Sequence, residues 1–387
     1  MKTSIIGIII AMLVLYMTRV VLMISYYLGR VKRSKGHTRA SKFSVLQPIV
    51  SGDSSLEDCL RSNVEQVKDL HFVWVVDHHD QEAIRIVEKI KKESKVSIKI
   101  IIAGEIPATI NEKVWKQKLG LDHVRDYFIA VDDDAIITYD LLDEMKERLD
   151  ASPCVITGLP YYRMGSDFLT NLVVGFVNGN TLLTYLVMAK LGPVNNLNGM
   201  YYFAKKATFE SLDIFEQVKD KLSDEYEIAK VLKANKVEVI QDIVTCEVGT
   251  TIDGFSHYVS LMKRWMVFVN IYMRGQLKLG TLVTIVIPTV LPLLILVLAL
   301  MTDPILALGA VLIEVTISGN NYFLRRNLLS IEEPLTIIGY ELFAKYLQPF
   351  HYLYSLIQPR TIIWRKNRVS IGLDGSVTYK KVGHQDD

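Results

Sequence analysis

Asp132, Asp133 and Asp134 stand in a row directly after the apolar run Tyr127-Phe128-Ile129-Ala130-Val131. A run of that kind reads as a buried strand, so three carboxylates fall side by side at the edge of a sheet. Like charges this close repel, and each titrates upward unless a cation neutralises it. Hard oxygen donors suit Mg²⁺ or Mn²⁺, which bind through one or two carboxylates together with substrate phosphates. Side chains alternate along extended backbone, so Asp132 and Asp134 are expected on one face. A solvated acidic turn would give the same three residues, and the choice rests on what surrounds them.

The surroundings repeat the pattern. Asp77 and Asp80 follow a second apolar run, Phe72-Val73-Trp74-Val75-Val76, and Asp224-Glu225 opens a helical segment that continues to about Ala234. Acids suit the positive end of a helix, so capping alone would account for one member of that pair. Strands are expected at Phe43–Val50, Phe72–Val76, Val96–Ile102 and Tyr127–Val131. Helices are expected at about Ser55–Lys68, Glu82–Glu93 and Glu112–Val124. Strands alternating with helices at this spacing imply a mostly parallel sheet with right-handed crossovers. Ligands of such sheets sit beyond the carboxyl ends of the strands, where Asp77, Asp80 and the triple Asp would share one crevice. Phe168–Leu191 is strongly apolar but interrupted by Asn171, Asn178, Gly179 and Asn180, and suits a core helix or a membrane-surface helix equally.

Composition sets the class. The chain has 387 residues, 50% of them hydrophobic and 22% charged. That is too apolar for an ordinary soluble enzyme and too charged for a protein wholly within the bilayer. The apolar residues concentrate in Ile5–Leu28, Leu277–Met301 and Pro304 to about Tyr322, and about 20 residues suffice to span a bilayer. The first of these is too long for a signal-peptide core, so an uncleaved anchor is expected. Arg30, Lys32, Arg33, Lys35 and Arg39 follow it, which places that side in the cytoplasm. Pro334–Ile357 carries Glu341, Lys345, Gln348 and His351, about one polar group per turn, and reads as interfacial or re-entrant. Cys59, Cys154 and Cys246 are scattered, which fits a reducing compartment without disulfides or a zinc site. Glu314 inside the third apolar run is a functional candidate by its position. No nucleic-acid partner is expected.

Several motifs in order resemble the ceramide glucosyltransferases and their bacterial relatives, glycosyltransferase family 21. Asp77-His78-His79-Asp80-Gln81-Glu82-Ala83-Ile84 is similar to the family's D-H-x-D-x-x-A-I, and Asn111-Glu112-Lys113 to its N-P-K. Asp132-Asp133-Asp134 falls on its D-x-D-like element and Gly158-Leu159-Pro160-Tyr161 on its G-L-P-Y. Gly199-Met200-Tyr201 resembles its G-M-S turn, and Arg360-Thr361-Ile362-Ile363-Trp364-Arg365 its R-T-I-x-W-R tail. Two departures stand out. The family's E-D-Y, whose Asp is the general base, meets Asp224-Glu225-Tyr226, which puts Glu225 at the base position; a shift of one residue would make it Asp224. Its Q/R-x-x-R-W meets Leu261-Met262-Lys263-Arg264-Trp265, which keeps only the Arg-Trp.

The resemblance implies a GT-A fold, α/β and Rossmann-like, with transmembrane helices on both sides of the catalytic domain. The implied division is an anchor at 1–29, a cytoplasmic transferase domain at 30–275, two spans at 276–325, and an interfacial helix with a basic tail at 326–387. It implies inverting transfer of a sugar from a nucleotide sugar, of the UDP-glucose kind, to a lipid hydroxyl. Asp77, Asp80, Lys113, Asp132 and Asp133 would hold the nucleotide sugar, and Asp132 with Asp134 the Mg²⁺ or Mn²⁺ that neutralises the leaving diphosphate. Glu225 or Asp224 would take the acceptor proton. Lys113 and Arg264 would add positive charge to the leaving group, and Trp265 would stack near sugar or acceptor. Each of these last three has a plainer reading, as a solvated lysine or an interfacial anchor. A processive polysaccharide synthase and an inactive nucleotide-sugar-binding membrane protein are the alternatives. His78, His79 and His257 are expected to do nothing catalytic.

Overall fold

The computed structural model describes residues 2–31, 42–66, 69–138, 141–276, 278–364, 367–372 and 376–381. Lys32, Arg33, Lys35 and Arg39 of the basic cluster, and Arg365 and Lys366 of the tail, lie outside them. The β-branched and aromatic runs become strands β1 (Phe43–Ile49), β2 (His71–Asp77), β3 (Ser97–Ala103), β4 (Tyr127–Val131), β5 (Ala135–Ile137), β6 (Cys154–Tyr162), β7 (Tyr201–Lys205) and β8 (Glu238–Val248). They form a mixed sheet in the order β3-β2-β1-β4-β7-β6-β8-β5. The β3-β2-β1-β4 half is parallel, with Val45 opposite Phe72 on one side and Ile129 on the other. β7 then runs antiparallel to β4 and to β6, and β5 antiparallel to β8. Every residue of β1 and β4 is buried, as in a sheet covered on both faces.

The order places a switch point between β1 and β4. From β1 the chain builds outward through β2 to β3, then returns to β1's other side with β4. A crevice opens at such a point beyond the carboxyl ends of the strands. Glu112–Leu121 packs close beneath it: a Cβ on Gly120 would lie 2.2 Å from Leu46 Cδ1 and 3.1 Å from Val75 Cγ2. Its N-terminus is capped by the Asn111 carboxamide, which accepts from Lys113 N at 3.0 Å and donates to Lys221 O at 2.9 Å. The helix is thereby tied to the loop that leads to Asp224.

The chain divides into two units. The sheet belongs to the unit made of Lys32–Pro160, Val194–Thr251 and Pro359–Asp387. The C-terminal residues, expected as a basic tail, form a three-stranded antiparallel sheet of β9 (Thr361–Trp364), β10 (Asn367–Ile371) and β11 (Val377–Lys381) within this unit. Val377 N donates to Asp220 O at 3.0 Å and Tyr379 N to Ala108 O at 2.7 Å. Strands of four or five residues carry little periodicity of their own, and these take their order from docking.

The other unit consists of Met1–Val31, Tyr161–Pro193 and Ile252–Gln358. Lys2–Arg30, Phe168–Leu191, Leu279–Leu300 and Pro304–Leu329 are each long and apolar enough to cross a membrane. Ile337–Ile357 packs on the Phe168–Thr181 helix through a small-residue seam, Gly175-x-x-x-Gly179. A Cβ on Gly175 would fall 2.6 Å from Tyr340 C, and one on Gly179 3.1 Å from Glu341 Cγ. Small residues at that spacing let helix backbones approach closely. Arg325 pairs there with Glu333 at 2.8 Å and with Glu341, and Lys345 with Glu314 at 2.7 Å.

Candidate active site

Three motifs distant in sequence meet on one ammonium group. Lys113, on the first turn of its helix, sets Nζ 2.8 Å from Asp132 Oδ1 and 3.0 Å from Glu225 Oε1, and 3.4 Å from Gly199 O. Asp132 is held at the end of β4 by its own backbone: its N donates to Met200 O, and its O accepts from Gln47 Nε2 at 3.3 Å. Glu225 fits against Gly199 because that residue has no side chain. A Cβ there would fall 1.8 Å from Glu225 Oε1.

The charges are unequal in number, and the titration behaviour follows. Desolvation acts against the Lys113 ammonium, but Asp132, Glu225 and Asp224 outweigh it and hold its pKa well above the ordinary value. Desolvation lifts the Asp132 carboxyl above the usual range although Lys113 pulls it down. Asp224 is 2% exposed; burial, then the adjacent Glu225 charge, push it up far. Glu225 is desolvated too, yet the Lys113 charge and the hydrogen bonds from Lys113 and Asp224 keep it below the usual glutamate value. The two shifts run in opposite directions, Asp224 toward its protonated form and Glu225 toward its ionised form, with a hydrogen bond between the two side chains.

A second cluster lies at the ends of β1 and β2. Asp80 accepts from Ser51 N at 2.7 Å and Ser51 Oγ at 2.6 Å, and caps the Gln81–Glu93 helix through Ala83 N. Asp133 is buried and accepts from Val50 N at 2.8 Å. Lys116 is 1% exposed and donates to Ile49 O at 3.0 Å. Burial lowers its pKa, opposed by the charges of Glu112, Asp77, Asp133 and Asp80. Sequence reading passed over Lys116. Its spacing of three from Lys113, which puts both on one helix face, was the available signal. It also passed over Tyr202, whose fully buried hydroxyl belongs to the same electrostatic neighbourhood as Lys113, Asp224 and Glu225.

The extended backbone that would put Asp132 and Asp134 on one face ends at Val131. Asp133 and Asp134 form a turn, and Asp134 O accepts from Gly249 N at 2.9 Å. Alternation cannot be carried through a turn, and Asp132 and Asp133 turn to different partners. Asp132 faces Lys113, and Asp133 faces the β1 loop. Among the described residues, one group of three His, Cys, Asp or Glu side chains has all its donor atoms within 4.8 Å, and it is His78, His79 and Glu105. A divalent ion still suits the chemistry of the crevice. Asp132, Asp224 and Glu225 gather around a single ammonium, a donor set of hard carboxylate oxygens that suits such an ion.

Arg264 and Trp265 belong to the helical unit, on Gly254–Gln276. Trp265 stacks on Phe176 at 5.7 Å and meets Tyr162 edge-on at 6.1 Å. Leu261, at the position where the motif carries Gln or Arg, is buried.

The sequence model of glycosyl transferase family 21 matches residues 2–377. The chain belongs to that family. Its sheet unit is accordingly a GT-A glycosyltransferase domain. No curated protein is matched. Among solved structures, mannosyltransferase PcManGT from Pyrobaculum calidifontis, in complex with GDP-Man and Mn²⁺, is 14% identical with a TM-score of 0.48. That match covers 90% of this chain and 99% of the other. S. aureus TarS in complex with UDP is 15% identical with a TM-score of 0.38, covering 88% and 100%. Glucosyl-3-phosphoglycerate synthase from Mycobacterium tuberculosis, with Mg²⁺ and UDP, is 13% identical with a TM-score of 0.34, covering 61% and 85%.

Proposed function

We propose that this family 21 protein is a membrane-bound inverting glycosyltransferase. It moves a hexose from a nucleotide sugar of the UDP-glucose kind to the hydroxyl of a lipid. The observation that supports this most directly is the Lys113 bridge between Asp132 and an ionised Glu225 backed by Asp224. An inverting transfer needs one carboxylate to receive the acceptor proton on the face opposite the leaving group. Glu225 is that base. The acceptor oxygen forms its bond to the anomeric carbon as the bond to the diphosphate breaks, the proton passes to Glu225, and the electron pair leaves with the diphosphate. Lys113 stands where it can follow the charge from one side to the other. Asp224 keeps its own proton and orients the Glu225 carboxylate.

Asp132 and Asp134 are assigned as the residues that would hold Mg²⁺ or Mn²⁺. Bound there, the ion would act as a Lewis acid on the diphosphate. Asp77 and Asp133 are assigned to the nucleotide, with Asp80 fixing the Ser51 loop beside it. Arg264 is assigned to the leaving diphosphate and Trp265 to the sugar or acceptor. The sheet unit, which carries these acids and also takes in Pro359–Asp387, is assigned to the cytoplasmic side.

A topological argument supports the membrane reading. Pro160 and Val194 belong to the same sheet unit, as do Thr251 and Pro359. Each intervening segment therefore crosses the bilayer an even number of times. Leu279–Leu300 and Pro304–Leu329 make two crossings, so Ile337–Ile357, whose Lys345 reaches Glu314 within the second, enters and leaves from the cytoplasmic side. The single helix Phe168–Leu191 cannot cross once and return, so it lies in the interface or re-enters.

The test is incubation of the detergent-purified protein with radiolabelled nucleotide sugars and total host lipid. A labelled glycolipid is expected on chromatography, and the absence of any labelled lipid across the full panel would refute the proposal.

A further inference from the structure

The helical unit contains a cavity of about 60 Å³. One water requires roughly 10–15 Å³ on that measure, so there is room for a small group of heavy atoms. Its polar wall carries Tyr16, Arg19, Glu314, Asn321, Glu341 and Lys345, and its apolar wall includes Leu15, Leu183, Leu291 and Ile317. Three of the charged side chains keep an atom without a hydrogen-bond partner: Arg19 Nε, Glu314 Oε1 and Glu341 Oε2. They are 7%, 2% and 3% exposed. Other atoms of the same side chains are engaged. Arg19 donates to Leu183 O and Thr284 O at 3.2 Å, Glu314 Oε2 accepts from Lys345 at 2.7 Å, and Glu341 Oε1 accepts from Arg325.

A buried charged atom left without a partner is costly. Three around one cavity point to an occupant that offers an acceptor to Arg19 and donors to the two glutamates. Two hydroxyls do both, each with one O–H to donate and lone pairs to accept. Charge selects further. Among the residues that line the cavity, Arg19 and Lys345 balance Glu314 and Glu341, so an ionic headgroup would bring an uncompensated charge. The leucines opposite favour hydrocarbon over a wholly aqueous filling.

We propose that this cavity binds the uncharged, hydroxyl-bearing headgroup of a lipid, its chain lying along the Leu15, Leu183 and Leu291 wall. The inference rests on the helical unit alone and stands apart from the transfer reaction. An acceptor alcohol and a resident lipid share this chemistry.

The full chain in detergent is photolabelled with a monoacylglycerol carrying a diazirine near the ester, and in parallel with a lysophosphatidic acid of the same chain. Labelled peptides are mapped by mass spectrometry. The neutral probe is expected to label segments 12–19, 179–183, 287–292 or 314–321 at least about tenfold more than the anionic probe. Leu291→Trp, which fills the apolar side, should reduce that labelling about tenfold while the melting temperature and elution volume are kept. Should Leu291→Trp fail to fold, Leu15→Phe fills the same space from another helix. Equal labelling by both probes, labelling spread over all the apolar helices, or labelling unchanged in a folded filled variant would overturn the proposal. Adding nucleotide sugars without irradiation separates the sources: conversion of the probe to a glycolipid marks an acceptor, and its recovery intact marks a resident lipid. Failure to convert any lipid bears on the transferase reading and leaves the labelling result as it is.

Discussion

Lys113 and Glu225 are 112 residues apart in sequence and 3.0 Å apart in space, joined by an ion pair in a crevice where Asp132 takes the other side of the same ammonium. The pair keeps Glu225 ionised against its own desolvation. A base held in that state is ready to accept a proton at neutral pH, and its acid limb should fall below the ordinary glutamate value of about 4.3.

Glu225→Gln removes the proton acceptor and keeps the shape. Turnover should fall about a hundredfold or more, with nucleotide binding nearly intact. Single-turnover kinetics and calorimetric titration of the nucleotide diphosphate separate the two. An Asp224→Asn protein that is dead beside a Glu225→Gln protein that works would assign the base to Asp224.

Asp224→Asn should be tolerated at pH 7, because a protonated carboxyl and a carboxamide both donate to Glu225. The sign of the stability effect follows from the raised pKa. Above about pH 4 the unfolded chain releases this proton and the fold retains it, so the stability that Asp224 contributes is present below its unfolded pKa and lost as pH rises toward its folded pKa. Asn does not titrate. The melting temperature of the variant should therefore gain on wild type between pH 5 and 8. A difference independent of pH would mean that Asp224 is ionised in the fold.

Gly199→Ala introduces a Cβ 1.8 Å from the present position of Glu225 Oε1. The flexible carboxylate moves and the backbone stays, so the loss should be in kcat, about tenfold or more, with KM for the nucleotide sugar little changed. A wild-type kcat would show that the carboxylate has another productive position.

EDTA should abolish activity, and Mn²⁺ or Mg²⁺ should restore it. Asp134→Asn should weaken metal and donor binding together. Full activity in EDTA would remove the metal from the scheme.

The docking of β9–β11 predicts on which side of the membrane the chain returns. Val377 and Tyr379 bond to Asp220 and Ala108 in the catalytic unit, so a cysteine at Ser376, in a chain lacking Cys59, Cys154 and Cys246, should resist an impermeant thiol reagent on intact cells. Labelling from outside would require another crossing.

The sequence by itself determined the parallel half of the sheet, because β1, β2 and β4 are short apolar runs ended by polar residues, and burial on both faces leaves such runs no other use. It also determined which acids end those strands, and the apolar stretches long enough for a bilayer. Tertiary structure alone decided the rest. The turn after Val131 sends Asp132 to Lys113 and Asp133 to the backbone of Val50, and no alternation rule reaches through a turn. Lys113 meets Glu225, and Gly199 makes room for that carboxylate, because the 219–221 loop is tied to Asn111; that is a contact between segments more than a hundred residues apart. β9–β11 are too short to announce themselves and are ordered by docking. Ionisation belongs to the fold as well: Asp224 and Glu225 are adjacent acids of nearly equal intrinsic strength, and burial shifts the first up while the Lys113 ion pair shifts the second down.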